Sequence, residues 1–162
     1  MCGGRKDLFS LSSSCWMYSL EKESWEEADS LPVSVAGAAT ICQEDRMMMI
    51  GGVVEEDYYQ VNVIFKILAF LFFILQDKNT EDYYDYNTEV ATSQVLLYDF
   101  KSQKWDYGTS FPESIQGACG GSINNMIIVT GGKNDRECSY GTDNVWIKKD
   151  SEWMKGILNI RI

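Results

Sequence analysis

The sequence predicts an all-β fold assembled from one repeated unit of four short strands, in about two and a half to three copies. Three observations carry this. First, Gly-Gly pairs at Gly3-Gly4, Gly51-Gly52 and Gly131-Gly132 are each followed by a tryptophan, at Trp25, Trp105 and Trp153. The spacing from Gly4 to Trp25 and from Gly132 to Trp153 is 21 residues, whereas Gly52 to Trp105 is 53, so the middle copy carries 32 extra residues. Second, residues 18–52 laid on residues 98–132 give nine identities in 35 positions, among them Tyr18/Tyr98, Trp25/Trp105, Pro32/Pro112, Gly37/Gly117 and Gly51-Gly52/Gly131-Gly132. Such self-similarity at a fixed period marks a repeat architecture. Third, the local patterns are strands, with no amphipathic helix. Gly120-Gly121 lies outside the repeat.

The elements follow in order. Residues 16–20 are rich in aromatic and aliphatic side chains and read as a strand. A polar stretch at 21–24 leads to a second strand at Trp25, so the pair reads as a hairpin. Leu31-Pro32 then turns the chain. Residues 36–42 form a small-residue strand suited to a crowded position, and Met47-Met48-Met49-Ile50 is a buried strand closed by a tight turn at Gly51-Gly52. The same series returns as a strand at 95–100, the turn before Trp105, Phe111-Pro112, a small-residue strand at 117–123, and Met126-Ile127-Ile128-Val129 before Gly131-Gly132. A unit of about 48 residues with four short strands is the size of a propeller blade. The blade parts fall at 1–32, 33–112 and 113–162. Closed propellers need at least about four blades, so the expectation is a fragment of a longer protein, or an arc completed by self-association, since an open arc leaves unpaired edges.

The pattern resembles the kelch repeat: an apolar strand ending in Gly-Gly, a Tyr-Asp strand, a Trp six or seven residues on, and a Pro before a Gly-containing strand. Here these are residues 47–52, Tyr98-Asp99, Trp105, Pro112 and Gly117. The sequence departs from it where an Arg often follows the Pro, with Val33 and Glu113 in its place, and where a Tyr is usual before Gly-Gly, with Met48 and Ile128 there. The resemblance implies a partial kelch-type β-propeller and a protein–protein interaction role. Many such proteins carry a BTB domain and serve as substrate adaptors of cullin-RING ubiquitin ligases, while others bind actin. No BTB segment is present, and nothing in these residues chooses between the two. Kelch-fold copper oxidases use His and Tyr ligands, and this chain has no histidine, so an enzyme is not expected.

Composition narrows the function further. The 162 residues are 45% hydrophobic and 23% charged, which reads as globular. Fourteen Lys and Arg against 24 Asp and Glu give a net charge of −10, which argues against nucleic acid and anionic lipid as partners. The absence of histidine removes His-based metal sites and Ser-His-Asp or Cys-His catalysis. Five cysteines without a C-x-x-C pair argue against a zinc ribbon or a dense disulfide framework. Cys42 and Cys119, in apolar stretches, read as buried thiols. With a start that lacks the apolar core of a signal peptide, the reading is cytoplasmic.

The 32 extra residues include 63–75, thirteen residues with one charge, shorter than the roughly 20 that a membrane span needs. Glu56-Asp57-Tyr58-Tyr59 recurs as Glu81-Asp82-Tyr83-Tyr84, so residues 60–84 read as a late addition such as a translated intron, a splice variant or a duplication. The rival reading is a hydrophobic loop that binds a partner or a membrane surface.

Candidate chemistry is sparse. The three tryptophans recur once per unit, as packing residues do. The Gly-Gly pairs lack the context of a phosphate loop. Glu55, Glu56, Asp57, Asp82 and Asp85 lack the spacing of a Ca²⁺ loop. Glu26 and Glu27 point to opposite faces of a strand, and Ser12-Ser13-Ser14 is a polar loop without a nucleophile elbow. No metal or cofactor is expected. What remains is a binding surface made by the loops after each Gly-Gly and after each Trp: Glu55, Glu56, Asp57, Tyr58, Tyr59, Tyr83, Tyr84, Asp85 and Tyr86 in the first, and Lys133, Asn134, Asp135 and Arg136 in the second. Tyrosine gives contact area at low entropic cost, and carboxylates steer a basic or mixed partner segment.

Overall fold

The computed structural model describes residues 1–7, 10–55, 89–134, 141–150 and 152–156. Among these, all regular structure is strand. The strands are β1 Cys15–Ser19, β2 Ser24–Ala28, β3 Ala39–Cys42, β4 Arg46–Ile50, β5 Val53–Glu55, β6 Glu89–Ala91, β7 Val95–Asp99, β8 Lys104–Tyr107, β9 Gln116–Ile123, β10 Met126–Lys133, β11 Val145–Lys149 and β12 Glu152–Gly156. They pair antiparallel as the hairpin β1-β2, the four-stranded sheets β3-β4-β7-β8 and β9-β10-β11-β12, and the ribbon β5-β6. Each of the three larger units draws its strands from one of the stretches 1–32, 33–112 and 113–162.

The repeat extends to individual hydrogen bonds. The N–H groups of Gly3, Gly51 and Gly131 donate to the carbonyls of Ser14, Gln94 and Asn144. Those of Ser12, Thr92 and Thr142 donate to Gly4, Gly52 and Gly132. In each copy the hydroxyl at 12, 92 or 142 accepts from the N–H two residues on, a turn that Ser and Thr form readily. Tyr18 faces Trp25 and Tyr98 faces Trp105 across their hairpins, but Lys148 faces Trp153. The third copy has a longer loop before its hairpin and a shorter hairpin turn. The two changes cancel, which is why the Gly-to-Trp spacing reads 21 at both ends of the chain.

The middle sheet is covered on both faces. Ile50, Met48 and Val95 pack with Phe111, Ile115, Ile127 and Val129 toward the third sheet. Met49 and Leu96 pack with Cys15, Leu31 and Val35 toward the first hairpin. A strand buried on both faces must be apolar at every position rather than alternately, which accounts for the unbroken run in β4. β3 lies beside β9, and Ile41 occupies the space that a side chain at Gly120 would need.

Three expectations need correction, and one bond was not foreseen. β10 does not close at its Gly-Gly pair but continues to Lys133, because Gly131 and Lys133 still pair with Ala118 and Gln116. Cys42 and Cys119 are exposed thiols: Cys42 alternates with buried Ile41 in β3 and so turns the other way, and Cys119 lies on the outer sheet. Cys2 and Cys15 form a disulfide, a pairing that the sequence reading did not name. Trp25 is not a packing residue; it is 57% exposed. Closing a loop across a separation of 13 residues is expected to stabilise the fold by about 3 kcal/mol. Urea midpoints with and without reductant, for the native chain and for Cys2→Ser, check this; reductant should shift the native chain only.

Candidate partner-binding surface

The two Gly-Gly pairs of the covered sheets set the geometry of one end of the molecule. Gly51 has φ 65° and Gly52 φ 95°, a region in which a side chain is strained. A Cβ on Gly51 would stand 2.2 Å from the Ile115 carbonyl oxygen, and one on Gly52 2.6 Å from that of Ala36. The Gly52 N–H donates to that same Ile115 carbonyl at 2.7 Å. Neighbouring units are thus joined backbone to backbone where the strands leave the sheets. Among the described residues, 53–55, 89–92, 133–134 and 141–142 after the Gly-Gly pairs gather at this end with 29–35 and 109–115 after the hairpins. The Ala36–Val53 bridge and the Gly117 N–H donating to the Gly37 carbonyl (2.9 Å) link them.

Glu55 ends β5 directly opposite Glu89 of β6. Like charges opposite each other in a ladder repel, and Arg5 answers them by a two-pronged pair with the Glu89 carboxylate. This pairing raises the Arg5 pKa above its usual value. The Glu55 carboxylate accepts from the Leu11 N–H at 2.9 Å. So Glu55 is partly a structural residue, fastening Leu11 to the β5-β6 ribbon. This ribbon also sets Glu55 and Glu89, which flank the long insertion in the sequence, opposite each other. Lys133 ends β10 opposite Gln116, and Asn134 follows it. Glu56, Asp57, Tyr58, Tyr59, Tyr83, Tyr84, Asp85, Tyr86, Asp135 and Arg136, with the proposed addition 60–84, lie outside the described residues.

Sequence reading missed two polar groups at the joints. Glu113, noted only as a departure from the kelch pattern, accepts from Trp146 Nε1–H at 2.6 Å and Asn144 Nδ2–H at 3.1 Å, tying the turn after β8 to the third sheet. Its acidity beside a Trp strand was the available signal. Tyr98 is buried at 3% exposure, and its hydroxyl has no partner among the described residues. Burial first, and the charge of Asp29 second, push its pKa above the ordinary tyrosine value. The folded state therefore holds this proton more tightly than the unfolded one. That contribution is complete below about pH 10 and is lost as pH rises through the higher folded value. Tyr98→Phe should cost little at neutral pH, because no hydrogen bond is lost, and should lessen the fall in urea midpoint between pH 7 and about pH 11.

Among the described residues no group of three or more His, Cys, Asp or Glu could hold a metal ion, and no helix is long and apolar enough to cross a membrane. No protein family's profile matches the chain, and no curated protein matches it significantly. The class defined by the fold is an all-β chain of several antiparallel sheets. Its likeness is to solved structures, of which 122 chains match. One of these is the structure of YjhT, which superposes with a TM-score of 0.63 over 96% of this chain at 13% identity. The present chain spans 41% of the length of that one.

Proposed function

We propose that this chain is part of a kelch-type β-propeller and works as a protein–protein interaction module, in which the sheets are scaffold and the loops at the Gly-Gly end grip a basic or mixed segment of a protein partner. Its place is the substrate-recognition part of a BTB-kelch adaptor for a cullin-RING ubiquitin ligase, in the cytoplasm, with the BTB domain supplied outside these 162 residues. The supporting observation is that the described ends of the stretches after both Gly-Gly pairs lie at one end of the molecule with the turns after both tyrosine–tryptophan hairpins. A rigid ladder that presents variable loops on one side is how binding proteins are commonly built. The Cys2–Cys15 disulfide pulls against the cytoplasmic placement, and its redox state in cell extract tests that part directly.

An array of mixed-sequence peptides tests the recognition. The native chain should select Lys- and Arg-containing peptides. Changing Glu55, Glu56 and Asp57 to Lys should slow their association, and raising salt should erase the difference, because exposed charges are screened beyond about 8 Å at physiological ionic strength. Glu55→Gln separates the two roles of that residue: its amide oxygen can still accept from the Leu11 N–H, so stability should hold while the loss of one charge slows peptide association at low salt. An association rate unchanged by the triple reversal at low salt sinks the reading. Cosedimentation with actin filaments would move the assignment to the cytoskeletal class.

A further inference from the structure

The two outer units of this chain each leave bare the face that their repeat equivalents bury. On the first hairpin, Trp16, Tyr18 and Trp25 are 40%, 46% and 57% exposed. Cross-strand partners share a face, and Tyr18 stands opposite Trp25, with Trp16 two residues from Tyr18 on the same side. Their equivalents in the middle sheet are Leu96, Tyr98 and Trp105. Leu96 and Tyr98 are buried; Trp105 packs against the first unit and donates its Nε1–H to the Asp29 carbonyl at 2.8 Å. In the third sheet the equivalent Trp153 stacks edge-on against Phe111 of the middle unit. This face, wherever it has a preceding neighbour, docks on it.

The opposite face tells the same story in reverse. Met48 and Leu97 of the middle sheet are packed against the third. Their equivalents Ile128 and Ile147 stand opposite one another, and Ile128 is half-exposed where Met48 is buried. Met154 lies at the rim beyond Ile147, exposed as its equivalent Asp106 is in the middle sheet. The glycines agree. A Cβ on Gly3 or Gly51 would strike the carbonyl oxygen of Val35 or Ile115 in the following unit, but at Gly131 there is open space among the described residues. A Cβ on Gly52 or Gly132 would strike Ala36 or Gln116, but at Gly4 there is open space. Both halves of one sheet-on-sheet interface are therefore present at opposite ends of the same chain, and that interface is already made within the chain, between its own units.

We infer that the face of Trp16, Tyr18 and Trp25 docks on the Ile128, Ile147 and Met154 face of a second copy, head to tail, continuing the stack that the chain builds internally. Two copies close on each other by two such contacts. Closure at two rests on the propeller reading: one copy matches 41% of the YjhT chain, so two make up most of such a length. The pairing of faces rests only on the repeat. Both copies carry a charge of −10, so the contact is apolar against a net repulsion, and salt should strengthen it. A cationic partner on the aromatic face would behave oppositely.

The test is the mass of the full 162-residue chain by light scattering and sedimentation over about a hundredfold range of concentration, at low and high salt. The expected result is twice 18.4 kDa, firmer at high salt. Trp25→Glu alters an exposed residue and Ile128→Glu a half-exposed one on the opposite face, and circular dichroism checks that both variants stay folded. Each should weaken association by more than about thirtyfold. Mixing the two variants should restore a weaker pair, because each supplies the face that the other lacks. A native chain that stays monomeric throughout overturns the inference. So does an Ile128→Glu variant that still dimerises fully, which would mean that the aromatic faces meet each other. A ladder of masses growing with concentration would overturn closure at two, and with it the propeller reading, separately from the pairing of faces.

Discussion

Gly51→Ala is expected to lower stability by about 3 kcal/mol or more. Two costs combine. An alanine at φ 65° is strained by about 1–2 kcal/mol. Its Cβ would also lie 2.2 Å from a backbone oxygen and 2.7 Å from the Ile115 side chain, and no rotamer change can move a carbonyl. The same substitution at Gly131, the repeat equivalent with φ 70° and open space around it among the described residues, should cost the strain alone, about 1–2 kcal/mol. Urea midpoints of the two variants decide the point. Equal losses would mean that the close approach of neighbouring units carries no stability.

Ile115→Ala should be comparably damaging, at about 2–5 kcal/mol. Ile115 is 2% exposed and belongs to the largest core cluster. Its side chain reaches toward both Gly51 and Gly132, while its backbone accepts from Gly52 and donates to Thr92. Truncation keeps both hydrogen bonds and leaves a cavity between two sheets. Ile123→Ala, at an exposed position, should stay within about 0.5 kcal/mol of the native chain. A double-mutant cycle adds detail. Ile115→Ala should relieve part of the cost of Gly132→Ala, whose nearest neighbour is the Ile115 side chain. It should relieve less of the cost of Gly51→Ala, where the nearest atom is main chain.

The candidate surface was less legible than the scaffold. Sequence reasoning took Glu55 as a free charge aimed at a partner, but its carboxylate holds the Leu11 N–H, a contact between residues 44 apart that no local pattern announces. Arg5 was passed over, yet it answers the facing carboxylates of β5 and β6. The equivalence of Ser12, Thr92 and Thr142 was hidden because the third copy lengthens one loop and shortens another. It emerges only when hydrogen bonds are compared rather than spacings.

Apart from β5, β6, β11 and β12, the sequence by itself determined the strands, the hairpins at Trp25 and Trp105, and the Gly-Gly joints. These depend on period-two alternation, apolar runs and positive-φ glycines, all of which are written within a few residues of one another. Only the tertiary structure decided which faces are covered. Trp25, Trp105 and Trp153 sit at matching places in one pattern, yet Trp25 lies in solvent while Trp105 and Trp153 pack against a neighbouring unit. Cys42 and Cys119 face out, whereas Cys15 is fully buried and joined to Cys2. Burial is set by whether another sheet lies within packing distance, and a strand's own residues fix which side chains share a face without fixing what stands opposite that face.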